Sequence, residues 1–457
     1  MSDPKTLAKR ITRNGRTFRG NSVLLYGLTN LLPRSMAILS TVIITPLAIN
    51  RLGLLEYGLW ALAVLVPNLV ASPDFGITQG VVNEMSRVNQ AEGNLRSQGK
   101  RLRDLAKLLN VIALGWLLVG GVVLTLYAFG PGQTPGIEPL KMSLALLGSL
   151  VVFTLGIPPV LWGRVQLAQE RAHEYVLWEG IGKTISFCAS LLVLLVWPNV
   201  FLLILASLLP NVVALHINAA RYVRSQWGAP VSSRWSLREV IKENRVVFQT
   251  GKYHFALQMA YLFGSAVDPF LVNGLLGTKE VAYLTLARRP FELLPLVVSL
   301  FSTALWPVFH RLNTTNQVVP LRRLVSRITA GSAGLVLLMS GVIITLADLI
   351  YGFLGQGRIE VSRIDLLWIA VQITATTVIL VFNNYMNAVN LLRAQLFVLT
   401  FSSVMGLAAK FLALKFFDLH AYFLLTAVVY VLTALLPMLW LTAQHLRQRE
   451  REVAQAA

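Results

Sequence analysis

The sequence predicts an all-α polytopic membrane protein with about 12 transmembrane helices in two six-helix lobes around a central cavity. Long apolar stretches recur along the 457 residues, which are 55% hydrophobic and only 13% charged. Soluble domains carry about 25% charged residues, and roughly 20 apolar residues are enough to cross a bilayer. The low charge suits a lipid-facing surface, so most of the chain is expected to lie within the membrane.

The spans are placed from the length of each apolar stretch. They are expected near 23–49, 58–82, 106–129, 142–168, 175–197, 200–222, 247–275, 280–309, 325–350, 364–389, 393–416 and 420–445. The first stretch is too long for the apolar core of a signal peptide, so we interpret it as an uncleaved span. An even number of spans returns both termini to the same side.

The net charge of +19 is explained by basic loops that set the orientation of the protein in the membrane. Alternate loops hold clusters of Lys and Arg, as in 96–107, 221–245 and 311–327, whereas the opposite loops hold few. Basic loops stay on the cytoplasmic side. We therefore expect both termini on the cytoplasmic side of the membrane and no binding to nucleic acid, although a high pI alone would suggest it.

A polar segment divides the chain into two similar halves. The predicted parts are a basic N-terminal tail at 1–22, a lobe at 23–222, a basic cytoplasmic linker at 223–246, a lobe at 247–445 and a C-terminal tail at 446–457. Gly53 and Glu56 recur 224 positions later as Gly277 and Glu280. Parallel repeats of this kind occur in transporters that bind substrate between the repeats.

Polar residues within the spans are the candidate substrate ligands, because a charge at bilayer depth is costly unless it faces a cavity or a partner. The predicted cations of the cavity are Arg34, Lys183, Arg288 and Arg289. The predicted polar lining consists of Asn30, Asn68, Gln258, Tyr261, Asp268 and Glu292. Arginine binds phosphate oxygens through paired hydrogen bonds, so this set favours an anionic substrate.

Ion pairing is the alternative interpretation of these charges. Glu292 lies four residues after Arg288, a spacing that lets the two side chains pair on a helix surface. Asp268 could neutralise another cation across the interface between helices, and Lys410 is expected near enough to a helix end to extend to the membrane surface. Both interpretations stay open at this stage.

The sequence disfavours enzyme and metal chemistry. Cys188 is the only cysteine, the six histidines are dispersed, and no nucleophile–base or paired-carboxylate motif stands out. We therefore expect a transporter without a cofactor or a metal ion, powered by an ion gradient, a membrane potential or the gradient of its substrate.

Two stretches carry a family resemblance, 45–53 followed by 56–61, and 74–77. They resemble the polysaccharide flippases of the O-antigen type, within the multidrug/oligosaccharidyl-lipid/polysaccharide (MOP) exporter superfamily. The resemblance implies alternating-access transport of an undecaprenyl-pyrophosphate-linked oligosaccharide to the outer leaflet, for lipopolysaccharide or exopolysaccharide synthesis. It also implies that cations of the Arg34, Arg288 and Arg289 type hold the substrate. Membrane lipids, a polysaccharide polymerase and glycosyltransferases are the further expected partners.

Two rival functions are kept. An ion-coupled multidrug or metabolite antiporter of the same superfamily would depend on acidic residues such as Asp74 and Asp268, with dispensable arginines. A membrane-embedded glycosyltransferase or polymerase would usually need a sizeable outer loop, and the longest outer loops, near 130–141 and 351–363, are short and poor in carboxylates.

Overall fold

The computed structural model is almost entirely helical in the part of the chain that it describes, residues 29–69, 74–78, 80–81, 95–169, 171–227, 236–302, 305–389 and 391–456. The helices are α1 Thr29–Leu52, α2 Leu54–Val64, α3 Val66–Leu69, α4 Leu95–Phe129, α5 Pro139–Ala168, α6 Ala172–Val196, α7 Val200–Trp227, α8 Leu237–Glu243, α9 Arg245–Tyr261, α10 Asp268–Leu276, α11 Thr278–Arg288, α12 Leu293–Ser302, α13 Trp306–Thr314, α14 Val318–Thr345, α15 Ala347–Gly355, α16 Arg363–Ala388, α17 Leu392–Phe416, α18 Leu419–Tyr430 and α19 Leu436–Ala456. The predicted all-α membrane fold is confirmed.

Ten helical stretches among the described residues are long and apolar enough to cross a membrane. Two predicted spans differ, near 58–82 and 280–309. In the first, α2 ends at Val64 and a separate short helix follows. In the second, α11 ends at Arg288 and α12 starts at Leu293, after Pro290. Proline lacks the N–H that a continuing helix needs, so apolar composition alone overestimates the continuity of this span.

The first of two compact units comprises Met1–Ser40, Ser72–Thr125 and Ala145–Phe255. Its core joins α4, α5 and α7 through Leu109, Leu161 and Tyr222. Helix α8 belongs to this core through Val240, and the Arg101 side chain donates to the Glu243 carbonyl at 2.8 Å. Part of the predicted linker at 223–246 is therefore helical and packed.

The second unit comprises Thr41–Ala71, Leu126–Leu144 and Ala256–Ala457. Its core brings Phe309, Phe382 and Tyr385 together with Met438. Helix α19 continues to Ala456 through the predicted C-terminal tail at 446–457, whereas the predicted N-terminal tail at 1–22 lies outside the described residues. The boundaries of the two units differ from those of the predicted lobes at 23–222 and 247–445. The division of the chain into two lobes stays a prediction.

The predicted internal repeat has a local structural counterpart. A π-helical turn interrupts the first span at Ser40–Ile44 and recurs at Leu262–Ala266. Each is followed by a short proline-containing helix that ends at a glycine, Gly53 with φ 83° and ψ 170°, and Gly277 with φ 100° and ψ 173°. An 11-residue helix then begins after each glycine. The repeated glycines thus serve one backbone conformation that L side chains rarely adopt.

Candidate functional site

A cavity of about 380 Å³ lies within the second unit. Helices α2, α10, α11 and α16 contribute to its wall, together with the π-helical turn before α10. The lining brings together four of the predicted site residues, Asp268, Arg288, Arg289 and Glu292, and a fifth, Tyr261. This is the largest grouping of predicted site residues that the described part of the chain contains.

The break between α11 and α12 places the charged residues on the cavity wall. Arg288 is the last residue of α11, Arg289 follows it, and Pro290 prevents the helix from continuing. Glu292 lies on the resulting turn, where its backbone N–H donates to the Arg288 carbonyl at 3.0 Å. Discontinuous helices often mark binding sites in transporters.

A buried ion pair stands behind the cavity. The Lys410 ammonium donates to both carboxylate oxygens of Asp268, at 2.7 and 3.0 Å, and both side chains are 1% exposed. The Tyr422 hydroxyl donates to the same carboxylate at 2.7 Å. Lys410 also donates to the carbonyl of Gly264, in the π-helical turn. Asp268 therefore accepts from two side-chain donors, Lys410 and Tyr422, and Arg288 lies 3.5 Å away, so its charge is compensated inside the protein.

Arg288 and Arg289 differ in how they are neutralised. Arg288 is 15% exposed and lies 3.5 Å from the Asp268 carboxylate and 3.8 Å from Glu292. Arg289 makes no ion pair within 4 Å among the described residues, and its Nε atom is buried without a hydrogen-bond partner. Around the cavity, three cations face two carboxylates, so Arg289 carries the uncompensated positive charge.

The prediction for Lys410 was wrong. The side chain does not extend to the membrane interface but points into the protein, where Asp268 and the Gly264 carbonyl hold it. Asp268 forms ion pairs with Lys410 and Arg288, as the alternative interpretation of the intramembrane charges allowed. Sequence reasoning also missed Trp60, Gln372 and Thr376 in the cavity wall.

The remaining predicted site residues are not part of this cavity. Asn30 lines a separate cavity of about 260 Å³ in the first unit, beside Arg164 and Glu179. Lys183 pairs with Glu179 at 2.7 Å, and half-buried Arg34 also belongs to this unit.

Gln258 is half-buried in α9 and does not line the cavity of the second unit. The side chain of Asn68 lies outside the described residues. Among the described residues, no three His, Cys, Asp or Glu side chains are grouped as metal ligands would be.

The fold of this chain is similar to that of several solved structures. Two solved structures share its fold: a multidrug resistance MATE family transporter of the MOP superfamily in an inward-facing conformation, and the lipid II flippase MurJ in an inward closed conformation. The first aligns with TM-score 0.71 at 14% identity, over 92% of this chain and 99% of the other. The second aligns with TM-score 0.67 at 13% identity, over 92% and 87%.

A MOP superfamily transporter from Pyrococcus furiosus, for which reverse polarity of the binding pocket suggests a different function, aligns with TM-score 0.56 at 14% identity, over 94% of this chain and 97% of the other. Among curated proteins, no sequence matches this chain significantly. The polysaccharide biosynthesis protein family matches residues 23–313. The chain therefore belongs to the polysaccharide biosynthesis protein family, with the fold of the MOP superfamily transporters and flippases.

Proposed function

We propose that this protein flips an undecaprenyl-pyrophosphate-linked oligosaccharide from the inner to the outer leaflet of the bacterial cytoplasmic membrane by alternating access, for surface polysaccharide synthesis. The observation that carries the proposal is Arg289, an arginine on the cavity wall without an ion pair among the described residues. A guanidinium group matches the geometry of phosphate oxygens. The pyrophosphate would bind Arg289 first, with Arg288 beside it.

The neighbouring side chains suit a glycan. Tyr261 is 53% exposed and offers an aromatic ring, and Trp60, Gln372 and Thr376 add a second ring and polar groups. Binding sites of this type combine aromatic surface with a few placed polar groups. The sugar next to the pyrophosphate would contact these residues, whereas the prenyl chain would stay in lipid.

Competition between the substrate phosphate and Glu292 for Arg288 would couple substrate binding to a change in the protein. Glu292 is 51% exposed and lies 3.8 Å from Arg288, so a phosphate group could displace it without leaving a buried carboxylate unpaired. Asp268 is held by Lys410 and Tyr422, so it would keep its place when substrate binds. Binding would then change the contacts of the broken helix and leave the buried pair intact.

The parts of the proposal outside this cavity rest on the sequence. Arg34 and Lys183 are further candidate contacts for the headgroup. The cytoplasmic position of the termini is proposed from the basic loops, and the inner-membrane location from the family resemblance. A polymerase and glycosyltransferases are the proposed partners, because a flipped oligosaccharide must be made before transport and joined after it.

The rival function is an ion-coupled multidrug or metabolite antiporter. One observation favours it, since the half-exposed Glu292 carboxylate lines the cavity and could attract a cationic molecule. The excess of cations over carboxylates around the cavity opposes it. The two functions predict opposite dependence on Arg289 and Glu292.

The test is binding of purified full-length protein to an undecaprenyl-pyrophosphate glycan. Arg289→Ala should weaken binding about 10- to 100-fold, because hydrogen bonds to charged groups contribute about 1.5–3 kcal/mol. The matched control is Arg363→Ala, which removes an exposed arginine paired with Asp348 at 2.7 Å. Equal binding by Arg289→Ala and by wild type, together with lost binding of cationic drugs by Glu292→Gln, would support the antiporter.

A further inference from the structure

A second groove in the second unit lies between α14 and α19 and is independent of the proposed substrate cavity. Its volume is about 390 Å³. Ala330, Ala333, Phe382 and Leu439 line its apolar part, whereas Arg322 and Arg447 are also lining residues. The groove thus combines an apolar lining with two cations. The proposed transport of substrate through the other cavity does not use these residues.

The two arginines lie at the same end of the groove. Arg322 is the first lining residue along α14 and Arg447 is the last along α19. The Arg322 side chain reaches Glu450 on α19, donating to both carboxylate oxygens at 3.2 Å. The helices are therefore antiparallel here, and the apolar lining extends from this charged end along both of them.

The length of the groove matches one leaflet of a bilayer. From Arg322 to Ala333 the lining extends over 11 positions of α14, or about 16 Å at a rise of about 1.5 Å per residue. The hydrocarbon core is about 30 Å thick, so one leaflet is about 15 Å. A lipid chain with its headgroup at the arginines would fill the groove and end near the bilayer midplane.

The charge at the mouth is positive. Arg447 is exposed and makes no ion pair within 4 Å among the described residues, whereas Glu450 compensates Arg322. Arg323 and Arg451 lie close by in sequence, on the same two helices. This arrangement suits a phosphate group with a net negative headgroup and disfavours a zwitterionic lipid, which would bring its own cation to the mouth.

Two threonines in the wall are not satisfied within the protein. The hydroxyl oxygens of Thr329 and Thr442 are buried and have no hydrogen-bond partner, and Thr442 is 3% exposed. Threonine in a helix commonly donates to the carbonyl four residues earlier, as Thr374 and Thr377 do on α16. Hydroxyls without such a bond could turn toward the ester groups that follow a phospholipid headgroup.

We propose that this groove is a binding site for one anionic phospholipid, in the leaflet on the side of the basic loops. Its phosphate binds Arg447 and Arg322, and one acyl chain lies along Ala330, Ala333 and Leu439. The occupant is a membrane phospholipid and not the transported substrate, because the groove is separate from the cavity that contains Arg289.

Native mass spectrometry of the full-length protein in detergent tests this site. Phosphatidylglycerol and phosphatidylcholine are titrated separately against wild type, Arg322→Ala/Arg447→Ala, and Ala330→Phe, which fills the groove and keeps its charges. The control is Arg238→Ala/Lys242→Ala, which removes two exposed cations of α8. We expect one phosphatidylglycerol retained by wild type and the control, and at least about ten-fold weaker retention in both test variants.

Three results would overturn the proposal. Equal retention of the two lipids by wild type would remove the role of headgroup charge. Full retention by Ala330→Phe would show that only surface charge is involved and that no chain enters the groove. Competition between phosphatidylglycerol and the undecaprenyl-pyrophosphate glycan, relieved by Ala330→Phe, would assign the groove to the substrate.

Discussion

Replacing Lys410 with methionine tests whether the buried ion pair holds the second unit together. The change keeps most of the apolar stem and removes the charge that contacts both oxygens of Asp268 at 2.7 and 3.0 Å. Both side chains are 1% exposed, so the remaining carboxylate stays in the protein interior. Removing one partner of a buried pair typically costs about 3–5 kcal/mol. Arg288, 3.5 Å away, should limit the loss to the lower end of that range.

The double variant Lys410→Met/Asp268→Asn separates the charge effect from the shape change. Replacing a whole buried pair with neutral groups is often close to neutral in stability. The free energies of unfolding, measured in mixed detergent for the wild type and the single and double variants, should therefore show that the second change recovers at least about 2 kcal/mol of the first loss. Additive losses, or a Lys410→Met variant as stable as wild type, would refute the reasoning.

Four further substitutions test the packing of the second unit and the repeated glycine conformation. Gly58→Ala should cost about 1–3 kcal/mol of unfolding free energy, since an added Cβ would lie 2.4 Å from the Thr278 carbonyl oxygen. Gly115→Ala is the control, because an added Cβ there would meet no atom within 4 Å. Equal stability of the two variants would contradict the close packing at Gly58. Gly53→Ala and Gly277→Ala should each cost about 1–3 kcal/mol through their positive φ, measured in the same way, and a loss at only one would contradict the repeated geometry. Asn273→Ala should cost about 1–3 kcal/mol, because Asn273 donates to the Tyr127 hydroxyl at 2.9 Å and the Gly132 carbonyl at 3.1 Å; a thermal midpoint equal to wild type would contradict this role.

The sequence was sufficient for the membrane class and for most of the spans, because apolar length is a direct requirement of the bilayer. It was less reliable where a span is interrupted. One span was placed near 280–309, but the helix ends at Arg288 and resumes at Leu293. The repeat was visible in Gly53 and Gly277, whose shared conformation follows from the need for glycine at positive φ. The π-helical turns left no comparable signal in the sequence.

The candidate site was likewise predictable in part. The adjacent Arg288 and Arg289, with Glu292, pointed to a functional cavity because charges within an apolar span are rare. Their different neutralisation could not be predicted, since it depends on Asp268 and Lys410, which are 142 positions apart in the chain. Trp60 and Gln372 gave no signal, because an aromatic or amide side chain within a span is as often structural. The predicted contributions of Arg34 and Lys183 to substrate binding stay predictions.

Transport of an undecaprenyl-pyrophosphate glycan across proteoliposomes tests the central claim most directly. Wild type, Arg289→Ala, Arg289→Lys and the surface control Arg363→Ala would be reconstituted at equal density, and the glycan reaching the far leaflet would be measured. The account predicts transport by wild type and the control, a loss of at least about ten-fold in Arg289→Ala, and partial recovery in Arg289→Lys, which restores the charge without the paired hydrogen bonds. Unchanged transport by Arg289→Ala would contradict the account.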